Sequence, residues 1–234
     1  MKSKHLLTLP FFCASVVFLS LIVVDRNSQA ADEASATTIP FSYAQPGDAL
    51  PSRVGGSSRG VSGAKLQVLV MAPDHTGLTT REQPTLYWYQ SDPTDNDIEI
   101  TIVDDNQINP VFETKLSGSQ QAGIHPVSLK DFNVKLKEGI EYRWFVAVIT
   151  DKTQRSTDII TGGTIKRINK SKLNNGAPLS GTISDKVSIL ASKGIWYDAI
   201  DTLSAEIDKT GSPALKETRN KLLTQVGLGD AVDK

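Results

Sequence analysis

With 25 Lys and Arg against 26 Asp and Glu in 234 residues, the chain is nearly neutral, which excludes the dense basic surface that a nucleic-acid binder needs to neutralise phosphates. Its one cysteine, Cys13, falls in an N-terminal stretch expected to be removed, which excludes thiol catalysis, cysteine-ligated metals and disulfides from the mature protein. The length suffices for one full-sized domain plus a smaller module.

Lys2, Lys4 and His5 precede an uncharged apolar stretch, residues 6–24, and Ser28-Gln29-Ala30 then supplies the small residues of a cleavage site. Residues 1–30 are therefore expected to be the signal peptide of an exported, periplasmic or cell-envelope protein. An uncleaved anchor is the competing reading, because the stretch approaches the roughly 20 residues of a membrane span. Pro10 and the cleavage site favour removal, with no stable span left afterwards. Removing Lys2, Lys4 and Arg26 from 25 basic residues, and Asp25 from 26 acidic ones, leaves 22 against 25.

Residues 31–64 hold Pro40, Pro46, Pro51 and many Gly and Ser, and read as a flexible leader. Arg53 and Arg59 flank its Gly-Gly-Ser-Ser run, either as contacts for anionic envelope polymers or as charges on a solvated tether.

Residues 65–168 change to short β-type segments separated by turn residues. Strands are expected over 66–71, 85–89, 98–102, 111–116, 127–132, 140–149 and 156–168. Asp104-Asp-Asn-Gln107 reads as a hairpin turn, and Gly162-Gly163 as a bulge or sharp bend. The central segment is 140–149, fed by the turn at Gly139; Tyr142, Trp144, Val146 and Val148 share its core face, opposite Arg143, Phe145, Ala147 and Ile149. Tyr142 stands where a tyrosine corner would bond back to the preceding turn. About seven strands in about 100 residues predict an all-β sandwich of immunoglobulin or fibronectin III type.

After a linker over 169–181, residues 182–228 predict a helical hairpin plus a third helix, an all-α tail of two to three helices, with 229–234 trailing. Thr182 and Asp185 suggest a capping box, Gly194 a helix end, Ser212-Pro213 a cap and first turn, and Gly227 a terminator. Gly194, Trp196, Ala199 and Leu203 match positions of a tetratricopeptide repeat, so the tail resembles one unit of that kind. It is either docked on the sandwich or open as a groove for a partner's helix or peptide.

No nucleophile elbow, phosphate loop, dinucleotide fingerprint or zinc motif is present. A metal site would need His75 or His125 gathered with Asp74, Asp92 or Asp104, and Asp92, Asp95 and Asp97 read as either a calcium loop or a solvated turn. The expectation is no metal, no cofactor and no enzymatic activity. Candidate interaction residues are Trp196, Tyr197, Tyr87, Tyr89, Arg53 and Arg59, the tyrosines either stacking on sugars or packing across strands.

Taken together, Gly55-Gly-Ser-Ser-Arg-Gly60, Leu69-Val-Met-Ala-Pro73, Gly77-Leu-Thr79, Gln83-Pro-Thr85, Tyr142-Arg-Trp144, Arg155-Ser156, Ile165-Lys-Arg167 and Gly194-Ile-Trp-Tyr-Asp-Ala199 resemble domain-of-unknown-function family 928, found mainly in cyanobacteria. The resemblance implies an exported envelope protein and no particular reaction. Similar chains carry a cysteine after the Ser-Arg-Gly motif and another at the end of the central strand, where this chain has Ser62 and Thr150. The resemblance thus implies that their Cα atoms lie within about 7 Å, the reach of a disulfide. The leading expectation is a protein-interaction adaptor for an envelope partner; the alternatives are a glycan or surface-polymer binder, or an enzyme of unrecognised type.

Overall fold

Alternation of apolar and polar residues in Ile98–Asp104 and Glu141–Val148 buries one face of each strand and pairs them antiparallel, Ile100 opposite Val146 and Ile102 opposite Trp144. The computed structural model describes residues 42–46, 53–57, 66–104, 109–173 and 179–229. Among them nine strands form two sheets: β1 (Gly56–Ser57), β2 (Gln67–Val70), β3 (Gly77–Thr79), β4 (Thr85–Gln90), β5 (Ile98–Asp104), β6 (Phe112–Leu116), β7 (Gly123–Ser128), β8 (Glu141–Val148) and β9 (Ile159–Arg167). The four-stranded sheet runs β1-β2-β4-β7 and the five-stranded sheet β3-β9-β8-β5-β6. The two strands beyond the expected seven are β1 and β3, two and three residues long and too short to carry a periodic signal.

The tyrosine corner is present: the Lys137 N–H donates to the Tyr142 hydroxyl oxygen at 3.1 Å, across the turn where Gly139 holds φ +81°. Three expectations need correction. Strand β7 begins four residues earlier than predicted and ends at Ser128, because Leu129 leaves the ladder to donate to Pro84 O and the chain turns through Asn133 at φ +54°. Gly162 and Gly163 form no bulge, since β8 and β9 stay in unbroken register through them. Their role is close approach: a Cβ on Gly162 would lie 2.5 Å from the Phe145 ring and one on Gly163 2.5 Å from Ala72 Cβ.

The third correction concerns the leader, whose described parts are docked. Ala44 N donates to Ala191 O at 3.0 Å, and Val54 exchanges backbone hydrogen bonds with Gly162. Composition averaged over the segment hides such isolated anchoring residues. Arg59 and Ser62 lie outside the described residues, as do Asp105, Asn106 and Gln107 of the β5–β6 turn.

Helix α1 (Ile183–Ser192) starts at the full capping box of Thr182 with Asp185. Helix α2 (Trp196–Thr210) ends at Gly211 in the left-handed conformation, and α3 (Pro213–Gln225) opens on Ser212 with Pro213 in its first turn. The α2 face of Trp196, Ala199, Ile200, Leu203 and Ile207 is buried in one cluster with Trp88, Trp144 and Val146. The tail therefore shares the core of the sandwich. Among the described residues no helix is long and apolar enough to cross a membrane.

Candidate functional site

The first turn of α2 is a dense junction. Trp196 Nε1–H donates to Met71 O at 2.8 Å with the ring fully buried. Tyr197 donates its hydroxyl to Thr164 O and accepts from Trp144 Nε1–H, each at 2.9 Å, while its ring occupies the space a side chain on Gly77 would need. Asp198, 3% exposed, accepts from the Thr79 hydroxyl, the Thr80 hydroxyl and the Thr80 N–H. One helical turn on, Asp201 pairs with Arg81 and accepts from the Tyr87 hydroxyl at 2.9 Å. These carboxylates are well supplied with donors, as burial of charge demands.

The leader adds a strap to the same junction. Tyr43 packs edge-on against Trp196 with ring centroids 5.0 Å apart, and its backbone N–H donates to Gln225 Oε1 at 2.7 Å. His75, 2% exposed, has Nδ1 3.1 Å from Asp74 Oδ1 and Nε2 2.8 Å from the Tyr43 hydroxyl. With Nδ1–H donating to the carboxylate, Nε2 is left to accept from Tyr43. Burial, then Asp74, pushes the Tyr43 hydroxyl well above its ordinary range, which keeps its proton in place to donate.

The candidate interaction residues therefore stand elsewhere than expected. Trp196 and Tyr197 do not offer an open face, because both are consumed in the junction. Arg53 donates to Ala72 O at 3.2 Å and Val226 O at 2.9 Å, tying the leader to the sandwich and to the end of α3. Tyr87 and Tyr89 are 5% and 6% exposed, since helices cover the sheet face on which they stand, and neither presents a ring face for stacking. Among the described residues no three His, Cys, Asp or Glu side chains gather to hold a metal. Asp97 instead pairs with Lys152 at 2.9 Å, and His125 stacks on Trp88.

The two tyrosines line one wall of a cleft of about 400 Å³. Gly123, Ile124 and Pro126 of β7 form a second side, Ser204, Ile207 and Asp208 of α2 a third, and Lys216, Arg219 and Asn220 of α3 the last. The half-buried Arg219 donates from Nη1 to Ser204 Oγ at 3.2 Å, and its buried Nε has no partner among the described residues. Desolvation lowers its pKa, an effect that Asp208 partly offsets. Tyr87 is pushed up to about 12, by burial first and Asp208 next. Arg219 carried a legible signal: it lies four residues after Leu215 and three and four before Leu222 and Leu223, a cation on an apolar helix face.

Fold and site together define a two-sheet β protein with a docked helical tail and a mixed, partly basic cleft at their boundary. Residues 54–234 match the model of the family described as Domain of Unknown Function (DUF928), and the chain belongs to that family. No curated protein matches the chain at a significant level. The motifs that carry the resemblance fall largely on the junction: Met71 and Ala72 accept, Gly77 yields space, Thr79 and Trp144 donate.

Proposed function

We propose that this chain is an exported, non-enzymatic protein-interaction adaptor of the cell envelope that engages its partner through the cleft between β7 and the α2–α3 pair. The cleft carries the reading. It falls within the roughly 300 to 1,000 Å³ of ligand sites and mixes apolar walls with a few polar groups. Export rests on the basic, apolar and small-residue order of residues 1–30. The junction supports the absence of catalysis: its carboxylates and Tyr197 are each bound to protein donors or acceptors, which leaves them locked and not poised.

The sandwich is of immunoglobulin or fibronectin III kind on this reading, supported by its tyrosine corner. The tail is tetratricopeptide-like in its spacing, with the difference that the sandwich fills the face a repeat array would leave open. The glycan alternative loses its main support with the burial of Tyr87 and Tyr89.

The test is site-specific photo-cross-linking in the native envelope, from Asn220 in the cleft and from the exposed Lys115 on β6 as control. A protein captured from Asn220 and not from Lys115 is expected. Equal capture from both, or polysaccharide alone, overturns the adaptor. Deleting residues 182–234 is not a usable control, because it would strip the shared core.

A further inference from the structure

We propose that the cleft binds a carboxylate on an acidic peptide segment of the partner, with the Arg219 guanidinium as its anchor; this rests on the reading of the cleft as the interaction surface. Other arginines of the described fold reach carboxylates or backbone carbonyls. Arg81 meets Asp201, Arg155 meets Asp158 at 2.5 Å, Arg167 meets Leu136 O at 2.9 Å, and Arg53 meets two carbonyls. Arg167 also leaves a buried Nε without an acceptor among the described residues, but it reaches Leu136 O and lies 3.7 Å from a Glu82 carboxylate oxygen. Arg219 has less: half-buried, it holds one neutral hydroxyl acceptor, and its Nε has none among the described residues. A guanidinium taken from water costs free energy unless a carboxylate or several acceptors replace the solvent, and its planar fork matches a carboxylate in bidentate fashion.

The surroundings select the ligand. Lys216, one turn earlier on α3, adds a second cation to the cleft, while Asp208 on the exposed rim acts on Arg219 through its charge. Peptide is favoured over acidic saccharide because neither cleft tyrosine exposes a ring face. The peptide is not added as a continuous strand. Met71 N donates to Tyr87 O, so Tyr87 turns its backbone groups toward β2, and its partner Pro126 turns the other way, to the free edge of β7. There proline removes the donor that strand addition would use. A carboxylate side chain followed by an apolar one fits instead, the second resting on Ile124, Pro126 and Ile207.

The experiment is an NMR titration of the isotope-labelled chain from Ala31 onward. The probes are N-acetyl-Glu-Leu-amide, N-acetyl-Gln-Leu-amide and glucuronate. The expected result is saturable shifts of the Arg219 Nε–H and Ile124 signals with the Glu peptide. Binding of the Gln peptide should be about tenfold weaker or worse, the equivalent of about 1.4 kcal/mol. The shifts should vanish in Arg219→Gln, provided its spectrum stays dispersed. Lys216→Gln, on the exposed side of α3, should weaken the Glu peptide and leave the Gln peptide unchanged, which keeps the test intact if Arg219→Gln unfolds. Equal binding of both peptides, persistence in both variants, shifts with glucuronate alone, or no shift with any probe overturns the proposal. A protein cross-linked from Asn220 without carboxylate preference would leave the interaction surface standing and remove only this ligand chemistry.

Discussion

The two ends of α2 treat buried polarity in opposite ways. At its N-terminal end, Asp198 and Asp201 leave water and are met by hydroxyls, an N–H and a guanidinium. In its C-terminal half, Ser204 faces an arginine that keeps a nitrogen without a partner among the described residues. Saturated polar groups lock one arrangement in place, whereas an unsaturated one retains free energy to give to a ligand. The helix is thus a structural key at one end and the wall of a site at the other.

That contrast breaks most sharply at Trp196. Trp196→Ala should cost about 3 to 5 kcal/mol. Because its ring lies in the common cluster with Trp88 and Trp144, sandwich and helices should unfold together. Denaturant curves followed by far-ultraviolet circular dichroism and by the remaining tryptophan fluorescence would coincide; separate transitions would mean two independent modules.

Next comes Asp198→Ala, which strands the donors of Thr79 and Thr80 in the interior and should cost about 1 to 3 kcal/mol by the same denaturation assay. Gly163→Ala belongs in the same range, about 1 to 3 kcal/mol, because the added methyl collides with Ala72. At the other end of the helix, Arg219→Gln should change stability by less than about 1 kcal/mol while it removes binding, since no ion pair is lost. A large loss of stability there would make Arg219 a structural group like Asp198.

The last effect appears only at alkaline pH. Tyr87 has an ordinary value of 10.0 and is pushed up to about 12 in the fold. An acid whose pKa rises on folding gives stability that is whole below its unfolded pKa and is lost as pH climbs through the folded one. Stability should therefore decline from about pH 10 toward about pH 12. Tyr87→Phe should lessen that decline in denaturant midpoints measured across the window, with the raised Tyr43 and Tyr197 supplying the remainder; an unchanged slope would show that Tyr87 titrates alike in both states.

Much of the architecture was legible because it is written in local periods. The alternation of Glu141–Val148, the capping box at Thr182 and the Ser212-Pro213 start each act over a few residues, and folding kept them. Tyr142 could be read as a corner because its partner lies only five residues away. The functional surface was less legible. Trp196, Tyr197, Tyr87 and Tyr89 carry residue types suited equally to cores and to interfaces, and only the docking of α2 on the sandwich decided which, through contacts with residues over 30 positions distant such as Tyr197 with Thr164.

Short-range order belongs to the sequence by itself: strands, helix ends and turns follow from backbone sterics and spacing that neighbours determine among themselves. Tertiary structure decided what is satisfied and what is left open. Gly163 became a point of contact, Arg53 a tie between segments and Arg219 a guanidinium short of an acceptor, because desolvation and partner supply depend on segments far apart in the chain meeting in space.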